Sequence, residues 1–571
     1  MAGMKKRRHS KGARPRWGGA ILFVMFLLAL HARVIGGVGD DSTRDRYEID
    51  LDLDYARAQF QARQVFHWTN ETGSPVDSLT FHLYPNVGIS EKDEPLLTIQ
   101  EVSCPATPVK YSIRGRHTQL RVEFGEKVQP GQRVELHFDF SGRIPRLQRE
   151  ETSLLAHFLQ EVNDALDETH DPMDARDIYF AGEESILLGY FYPLLAPRPL
   201  SLQEYQFPVG VSGVVFAEIA DYRVKVTTEA NLTVISSGKQ VGATNADGAK
   251  RVAYRFSGDS RRGFALAIAE KLKSLEQQVG QTTVVSYYRE GDQRLGQRVL
   301  SIAAGALQVY RKSYGEYPYD LLQLIELPLA AGYSGIEFPT LIVLPQAYYV
   351  DFDAPEATRL PGVLREQSDV IKSSFEFIIA HGVAHQWWGG VVGADPERSP
   401  FVDEAMANFS AAYYHEVAYG KQLGDLILKR QVRGAYQAYR MLGGVDQEVD
   451  RPLKDFRSGL EFSAIVQAKG ALLLVALREL LGDASFFAAL RNYYRDHSFR
   501  ISNAEIWRQS LIGATGDSRQ VRALLQRWLK EKHGDEDIGT PDLSLVPAPV
   551  SKIRSLGRVF LKIGKTAARP F

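Results

Sequence analysis

Two histidines and a glutamate set the strongest constraint on how this chain can fold. His381 and His385 lie four residues apart in the segment HGVAHQWW, and eighteen residues separate His385 from Glu404. Side chains four apart on a helix share one face, and two histidines placed in this way can bind one zinc ion. The interval to Glu404 fits a helix end, a turn at Gly389 and Gly390, a loop and a new helix. The sequence therefore predicts one zinc ion held by two histidines and a carboxylate.

The residue after the first histidine departs from the usual chemistry of such a motif. In zinc peptidases with H-E-x-x-H, the glutamate at this position is the general base that takes a proton from the zinc-bound water. This chain has Gly382 there. Glycine can neither accept nor deliver a proton, and it costs about 1 kcal/mol of helix stability relative to alanine. The sequence predicts a site that can bind metal but lacks this base.

Hydrophobic periodicity divides the chain into a β part and a helical part. Apolar residues alternate with polar ones from Tyr47 to Tyr55, from Val134 to Phe140 and from Tyr222 to Val226. This period of two predicts a mostly antiparallel β domain over residues 45–268, interrupted by a partly helical insertion at about 149–177. A chain of 571 residues is too long for a single core, so two or three domains are expected.

The second domain is predicted to be mainly helical and to span residues 269–535. Helical patterns cover residues 295–314, 366–388, 403–419 and 466–481, and a strand–turn–strand pattern covers residues 328–345. The fold class that follows is α+β, with the β domain first.

Both termini are basic. Residues 1–16 hold seven Lys or Arg and no acid, and an uncharged apolar run follows from Trp17 to Leu30. This order predicts a signal peptide or signal anchor at 17–37, a cytoplasmic segment 1–16, and export of the remainder, either secreted or anchored in the membrane. The tail, 536–571, has six Lys or Arg and no acid from Ser551 onward, as in a solvated terminus or a segment that contacts an anionic surface. The net charge of -1 gives no reason to expect nucleic acid as a partner.

The combined motifs resemble one enzyme family. HGVAHQWWGG, VDEAMA and the upstream GIEFP are similar to the zinc aminopeptidase family that includes aminopeptidase N and leukotriene hydrolase, a gluzincin type. That family carries H-E-x-x-H, eighteen residues and then E, usually with a Trp-Trp pair. The resemblance covers roughly residues 45–535. It implies an N-terminal antiparallel β domain, then a thermolysin-like zinc metallopeptidase domain with His381, His385 and Glu404 as ligands of one zinc ion.

The resemblance also assigns roles to residues outside the ligand set. Glu337 matches the family glutamate that binds the free α-ammonium of a peptide, and Gly335 in the same segment is implied in substrate binding, so the implied partners are peptide N-termini. Gln467 stands where the family has a Tyr whose hydroxyl stabilises the oxyanion. With Gly382 and Gln467 in the two catalytic positions, no catalytic residue is retained. Loss of a general base typically costs about 10²–10⁴ in rate, and loss of an oxyanion donor about 10²–10³.

Three hypotheses about function remain open at this point. The first is an exported, zinc-binding pseudopeptidase whose peptidase activity is weak or lost. The second is an active zinc aminopeptidase that recruits another base. The third is a non-enzymatic exported scaffold without metal.

Overall fold

The computed structural model describes residues 44–90, 92–166, 178–197, 216–332, 334–516 and 518–539. The predicted cytoplasmic segment 1–16, the predicted signal segment 17–37, the end of the predicted insertion (167–177) and the tail from residue 540 lie outside these residues. Within the described part, the helical stretch Gly459–His497 is long and apolar enough to cross a membrane, but 72% of its most apolar window is buried inside the protein. A core helix meets the same criteria.

The first part of the chain is built from strands. In chain order they are β1 Arg46–Asp54, β2 Gln59–Thr69, β3 Val76–His82, β4 Leu97–Ser103, β5 Val109–Arg114, β6 Gln119–Val128, β7 Arg133–Arg143, β8 Tyr179–Ala181, β9 Ser185–Gly189, β10 Leu194–Leu195, β11 Ala220–Glu229, β12 Thr233–Ser236, β13 Lys239–Ala246, β14 Arg251–Arg261 and β15 Ala265–Ala269. One sheet has the order β13-β14-β11-β1-β2-β7-β4, a second β10-β3-β6-β5, and a third β12-β15-β9-β8.

The alternation that predicted these strands places their apolar side chains in the core. Tyr47, Ile49, Leu51 and Leu53 of β1 are buried, while the acidic residues between them face outward or lie at the boundary. The pairing is antiparallel except between β1 and β11, which run parallel. Aromatic side chains of these two strands also pack against each other, as in the stacked pair of Tyr47 on β1 and Tyr222 on β11.

The second part combines a five-stranded mixed sheet with helices. Its strands are β16 Leu272–Val279, β17 Thr282–Arg289, β18 Leu321–Leu327, β19 Ile336–Phe338 and β20 Leu341–Pro345, in the order β16-β17-β18-β20-β19, and a short parallel pair joins β21 Gly393–Ala394 to β22 Ile501–Ser502. Helix α1 Leu154–Leu166 lies between β7 and β8, within the first part of the chain. The α-helices of the second part are α2 Gln293–Tyr314, α3 Gly362–Glu366, α4 Ser368–His385, α5 Phe401–Tyr419, α6 Lys421–Ile427, α7 Gly434–Met441, α8 Gly459–Phe462, α9 Gly470–His497, α10 Ala504–Ala514, α11 Arg519–Lys530 and α12 Gly534–Asp537. The α+β fold, with its β part first, is confirmed.

The two helices that carry the predicted metal ligands pack against each other, and their ends differ slightly from the prediction. Helix α4 ends at His385 rather than at 388, because the chain turns there and buries Trp387 and Trp388. The indole of Trp387 donates to the Gly315 carbonyl, and the indole of Trp388 donates to the Ser410 hydroxyl on α5. These bonds fix the turn that leads from one ligand-bearing helix toward the other.

The helix predicted over 466–481 is present, but its first part is not an α-helix. Residues Ser463–Lys469 form a π-helical segment, and α9 begins only at Gly470. A π-helical turn accommodates an extra residue and so changes the direction in which its side chains point. The backbone breaks again at Gly482, where φ is +72°, before the helix resumes and ends at His497.

Candidate metal centre

The two histidines come together in the last turn of α4. Their Nε2 atoms are 2.9 Å apart, as the spacing of four residues predicts for side chains on one helix face. His385 is 9% exposed, and the neighbouring Val383 and Ala384 are buried. The pair therefore lies at the edge of the core, where water has little access to it.

Glu404 reaches the histidines from the first turn of α5. Its Oε2 atom lies 3.9 Å from His381 Nε2 and 3.8 Å from His385 Nε2. One ligand atom from each of the three residues lies within 4.8 Å of the others, and Glu404 is only 3% exposed. The structure thus brings together the three residues that the sequence predicted as zinc ligands.

The donors suit a zinc ion. His385 Nδ1 donates to the Trp388 carbonyl at 3.0 Å, which leaves the Nε2 lone pair directed at the neighbouring histidine. Two such lone pairs repel each other unless a proton or a metal lies between them. Two donors that share a tetrahedral zinc at 2.0–2.2 Å stand about 3.3 Å apart. The three observed separations bracket that value.

The charges around the pair also favour a bound cation. Burial by itself lowers the pKa of His385, but the carboxylates of Glu404, Glu337 and Asp403 outweigh burial and raise that pKa to about 10. Burial and the charge on His385 lower the pKa of His381 to about 4. In the metal-free chain His385 is therefore protonated and His381 neutral at neutral pH, so the pair carries one positive charge, and one ionising proton must leave before both rings can bind a metal.

Zinc binding should displace this proton. Histidine binds metal only in its neutral form, so each zinc bound at pH 7.5 should release about one proton. Calorimetry of the zinc titration in two buffers with different ionisation enthalpies measures this release. A binding enthalpy that does not depend on the buffer would contradict the prediction, and His385→Ala serves as the control that lacks the titrating group.

Gly382 faces the carboxylate of Glu337. A Cβ atom on Gly382 would lie 3.1 Å from Glu337 Oε1 and 3.1 Å from Ile342 Cγ2. A Cβ atom on Gly335 would lie 3.3 Å from the same Oε1 atom. The carboxylate of Glu337, on the edge strand β19, therefore occupies space that two glycines leave open. Burial raises the pKa of Glu337, and the nearby Glu404 carboxylate adds to that effect.

Gln467 points at the metal centre from the π-helical segment. Its Nε2 atom donates to Glu404 Oε2 at 2.8 Å, the oxygen that also faces the two histidines. The sequence placed Gln467 at the centre but indicated no contact with Glu404. No signal in the sequence points to this bond, because the two residues are 63 positions apart.

A buried ion pair, which sequence analysis missed, anchors the segment that carries Gln467. Lys469 is 1% exposed, and its Nζ donates to both carboxylate oxygens of Asp446, at 2.9 and 3.0 Å. It also donates to the carbonyls of Gln447 and Glu531. Asp446 in turn accepts from the backbone N–H of Gly534. The run of polar contacts ties the π-helical segment to the last described helices of the chain.

Comparison with known proteins agrees with the geometry. Residues 300–528 match the Peptidase family M1 domain. The chain is 24% identical over 327 residues to a probable aminopeptidase 1 of Saccharolobus solfataricus, covering 54% of this chain and 38% of that protein. It is 27% identical over 239 residues to an aminopeptidase N of Lactobacillus delbrueckii subsp. lactis, covering 41% of this chain and 26% of that protein. The chain thus spans well under half the length of these curated relatives.

Solved structures show the same fold. The crystal structure of an M1 zinc metallopeptidase from Deinococcus radiodurans aligns with a TM-score of 0.56 at 16% identity, covering 86% of this chain and 94% of that chain. A mutant of that enzyme bound to a Tyr-Ser-Ala substrate aligns with the same TM-score and coverage at 15% identity. The matched domain, the shared fold and the His-His-Glu group lead to one conclusion: residues 300–528 form a domain of the Peptidase family M1 type, similar to that of zinc aminopeptidases such as aminopeptidase N, and the cofactor that this similarity implies is zinc.

Proposed function

We propose that this protein is a zinc-binding pseudopeptidase, which holds one zinc ion and the ammonium end of a peptide but hydrolyses peptides weakly or not at all. The observation that carries the proposal is the state of the two catalytic positions. Gly382 offers no proton acceptor, and the carboxylate of Glu337 lies against it. Gln467 offers no hydroxyl, and its amide is bonded to Glu404.

The residues that remain support binding. Zinc, when bound, would act as a Lewis acid that polarises a carbonyl oxygen. Glu337 would pair with the ammonium group of a peptide N-terminus, because a carboxylate and an ammonium form a charge-assisted hydrogen bond. Glu404 is nearly inaccessible to water, and electrostatic attraction grows as water is excluded, so the attraction between this carboxylate and a bound zinc ion is strengthened.

One observation favours a second candidate, an active aminopeptidase with an unconventional base. The Glu337 carboxylate is the acidic group beside Gly382, so it is the residue that would take a proton in place of the missing glutamate. Glu337 would then serve as base and as ammonium partner, and these two roles compete for one carboxylate.

Hydrolysis by the zinc-loaded protein separates these candidates. We expect no cleavage of a panel of fluorogenic aminoacyl amides, or of the peptide Tyr-Ser-Ala, above the level of the His385→Ala variant, although the parent binds one zinc ion per chain. Chelator-sensitive cleavage would contradict the pseudopeptidase. Cleavage that persists on an N-acetylated peptide and is lost in Glu337→Gln would identify Glu337 as a base, because the acetylated peptide has no ammonium group. Absence of bound zinc would leave a metal-free scaffold.

We also propose that the protein is exported and is either secreted or anchored in the membrane by its N-terminal segment. The support is the order of charge, with seven Lys or Arg in residues 1–16 before an apolar run. Protease digestion of intact and lysed cells that express the full chain tests this location. If the protease reaches the extracytoplasmic compartment of intact cells and still digests the chain only after lysis, the proposed export is contradicted.

A further inference from the structure

We propose that Gln467 is a positioning residue for the metal centre, which holds the Glu404 carboxylate in the orientation that completes the ligand set. This inference rests on the proposed function insofar as it takes the site to bind zinc. In the family this position carries the tyrosine that stabilises the transition state. In this chain the residue at the same position, Gln467, would serve metal binding instead of the substrate.

The contact geometry carries the inference. The Gln467 amide donates to Glu404 Oε2 at 2.8 Å, and the same oxygen is the one nearest both histidine Nε2 atoms. A carboxylate oxygen has two lone pairs, so the amide takes one and leaves the other for a cation. Because Glu404 is 3% exposed, water has little room to replace the amide if it is removed.

The fold holds Gln467 in place from both sides. The π-helical segment Ser463–Lys469 follows Glu461, a buried residue whose carboxylate accepts from Arg451 at 3.1 Å. The segment ends at Lys469, whose ammonium group is bound to Asp446. A partly buried ion pair, Arg451 with Glu461, and a buried one, Lys469 with Asp446, therefore bracket the segment. A side chain fixed in this way can orient a neighbour at a small cost in entropy.

An amide suits this role for a chemical reason. It donates a hydrogen bond to the carboxylate without transferring a proton, so Glu404 keeps the negative charge that a zinc ligand needs. Carboxylates that bind metals are themselves usually hydrogen-bonded, and loss of such a partner typically lowers metal affinity about 10–100-fold. A tyrosine at this position would have a hydroxyl free for a substrate; the glutamine amide is already engaged with the protein.

Zinc affinity, measured by competition with a fluorescent chelator, tests the inference. We expect Gln467→Met, which keeps the size of the side chain but loses the donor, to bind zinc about 10–100-fold more weakly than the parent. Gln467→Ala should show a similar loss. The visible spectrum of the cobalt-substituted protein should change in each variant as the carboxylate loses its fixed orientation.

The matched control is Gln431→Ala. Gln431 lies in the other π-helical segment, Leu428–Arg433, and its amide donates to the hydroxyl of Ser374, which lies on α4 about two helical turns before His381. This variant should bind zinc as the parent does. Equal zinc affinity for the parent, Gln467→Met and Gln467→Ala would overturn the inference while leaving the pseudopeptidase in place. Cleavage of peptides by the parent would instead contradict the pseudopeptidase and leave the affinity comparison intact. A parent that binds no zinc would overturn both.

Discussion

Replacing Gly382 by glutamate and Gln467 by tyrosine in one variant should raise chelator-sensitive hydrolysis of an aminoacyl amide by at least about 10²-fold over the parent. The reason is that the double variant restores the base and the oxyanion donor that the family carries, next to a histidine pair and a Glu404 already in place. The assay needs saturating zinc, because the change at Gln467 also removes the bond to Glu404.

The new glutamate must share space with Glu337. Its Cβ atom would lie 3.1 Å from Glu337 Oε1 and from Ile342 Cγ2, so both neighbours must shift by a few tenths of an ångström. The Glu337 carboxylate is the end of a flexible side chain, whereas Ile342 is buried in β20. We therefore expect the Gly382→Glu substitution to lower the unfolding temperature as well as to support catalysis.

A variant with glutamine at 382 separates the steric effect from the chemical one. Gly382→Gln combined with Gln467→Tyr introduces a side chain of nearly the same size that cannot accept a proton, and it should show no gain from a base. If the glutamate variant is folded, binds zinc and is no faster than the glutamine variant, the loss of activity extends beyond these two positions.

Replacing Lys469 by methionine should lower the free energy of unfolding by about 3–5 kcal/mol. The substitution leaves the Asp446 carboxylate buried with the Gly534 N–H but without its cation. Removing one partner of a buried ion pair is costly because the other charge stays in a medium that solvates it poorly. Denaturant unfolding, followed by circular dichroism, measures the change.

Two further variants show whether the loss of stability in Lys469→Met comes from the buried charge. Replacing both partners, with Lys469→Met and Asp446→Leu, should recover much of the lost stability, because an apolar pair leaves no buried charge. Lys421→Ala removes an exposed ion pair with Asp425 at i,i+4 spacing and should change stability by less than about 0.5 kcal/mol. An effect of Lys469→Met no larger than that of Lys421→Ala would show that the buried pair does not anchor the π-helical segment.

Local patterns in the sequence determined the fold class and predicted the three candidate metal ligands. The period of two in β1 follows from the alternation of side chains across a strand, and the burial of Tyr47 to Leu53 agrees with it. The spacing of His381 and His385 places both rings on one helix face, whatever the rest of the chain does. The two catalytic departures, Gly382 and Gln467, were visible as residue identities against the family pattern.

Only the tertiary structure decided what these departures do in the site. The bond from Gln467 to Glu404 joins residues 63 positions apart, and it depends on a π-helical turn that the apolar pattern does not distinguish from an α-helix. The approach of Glu337 to Gly382 depends on how an edge strand packs beside a helix. Residue spacing along one helix is a property of the backbone, whereas contacts between distant segments depend on packing and side-chain rotamers, which no local pattern encodes.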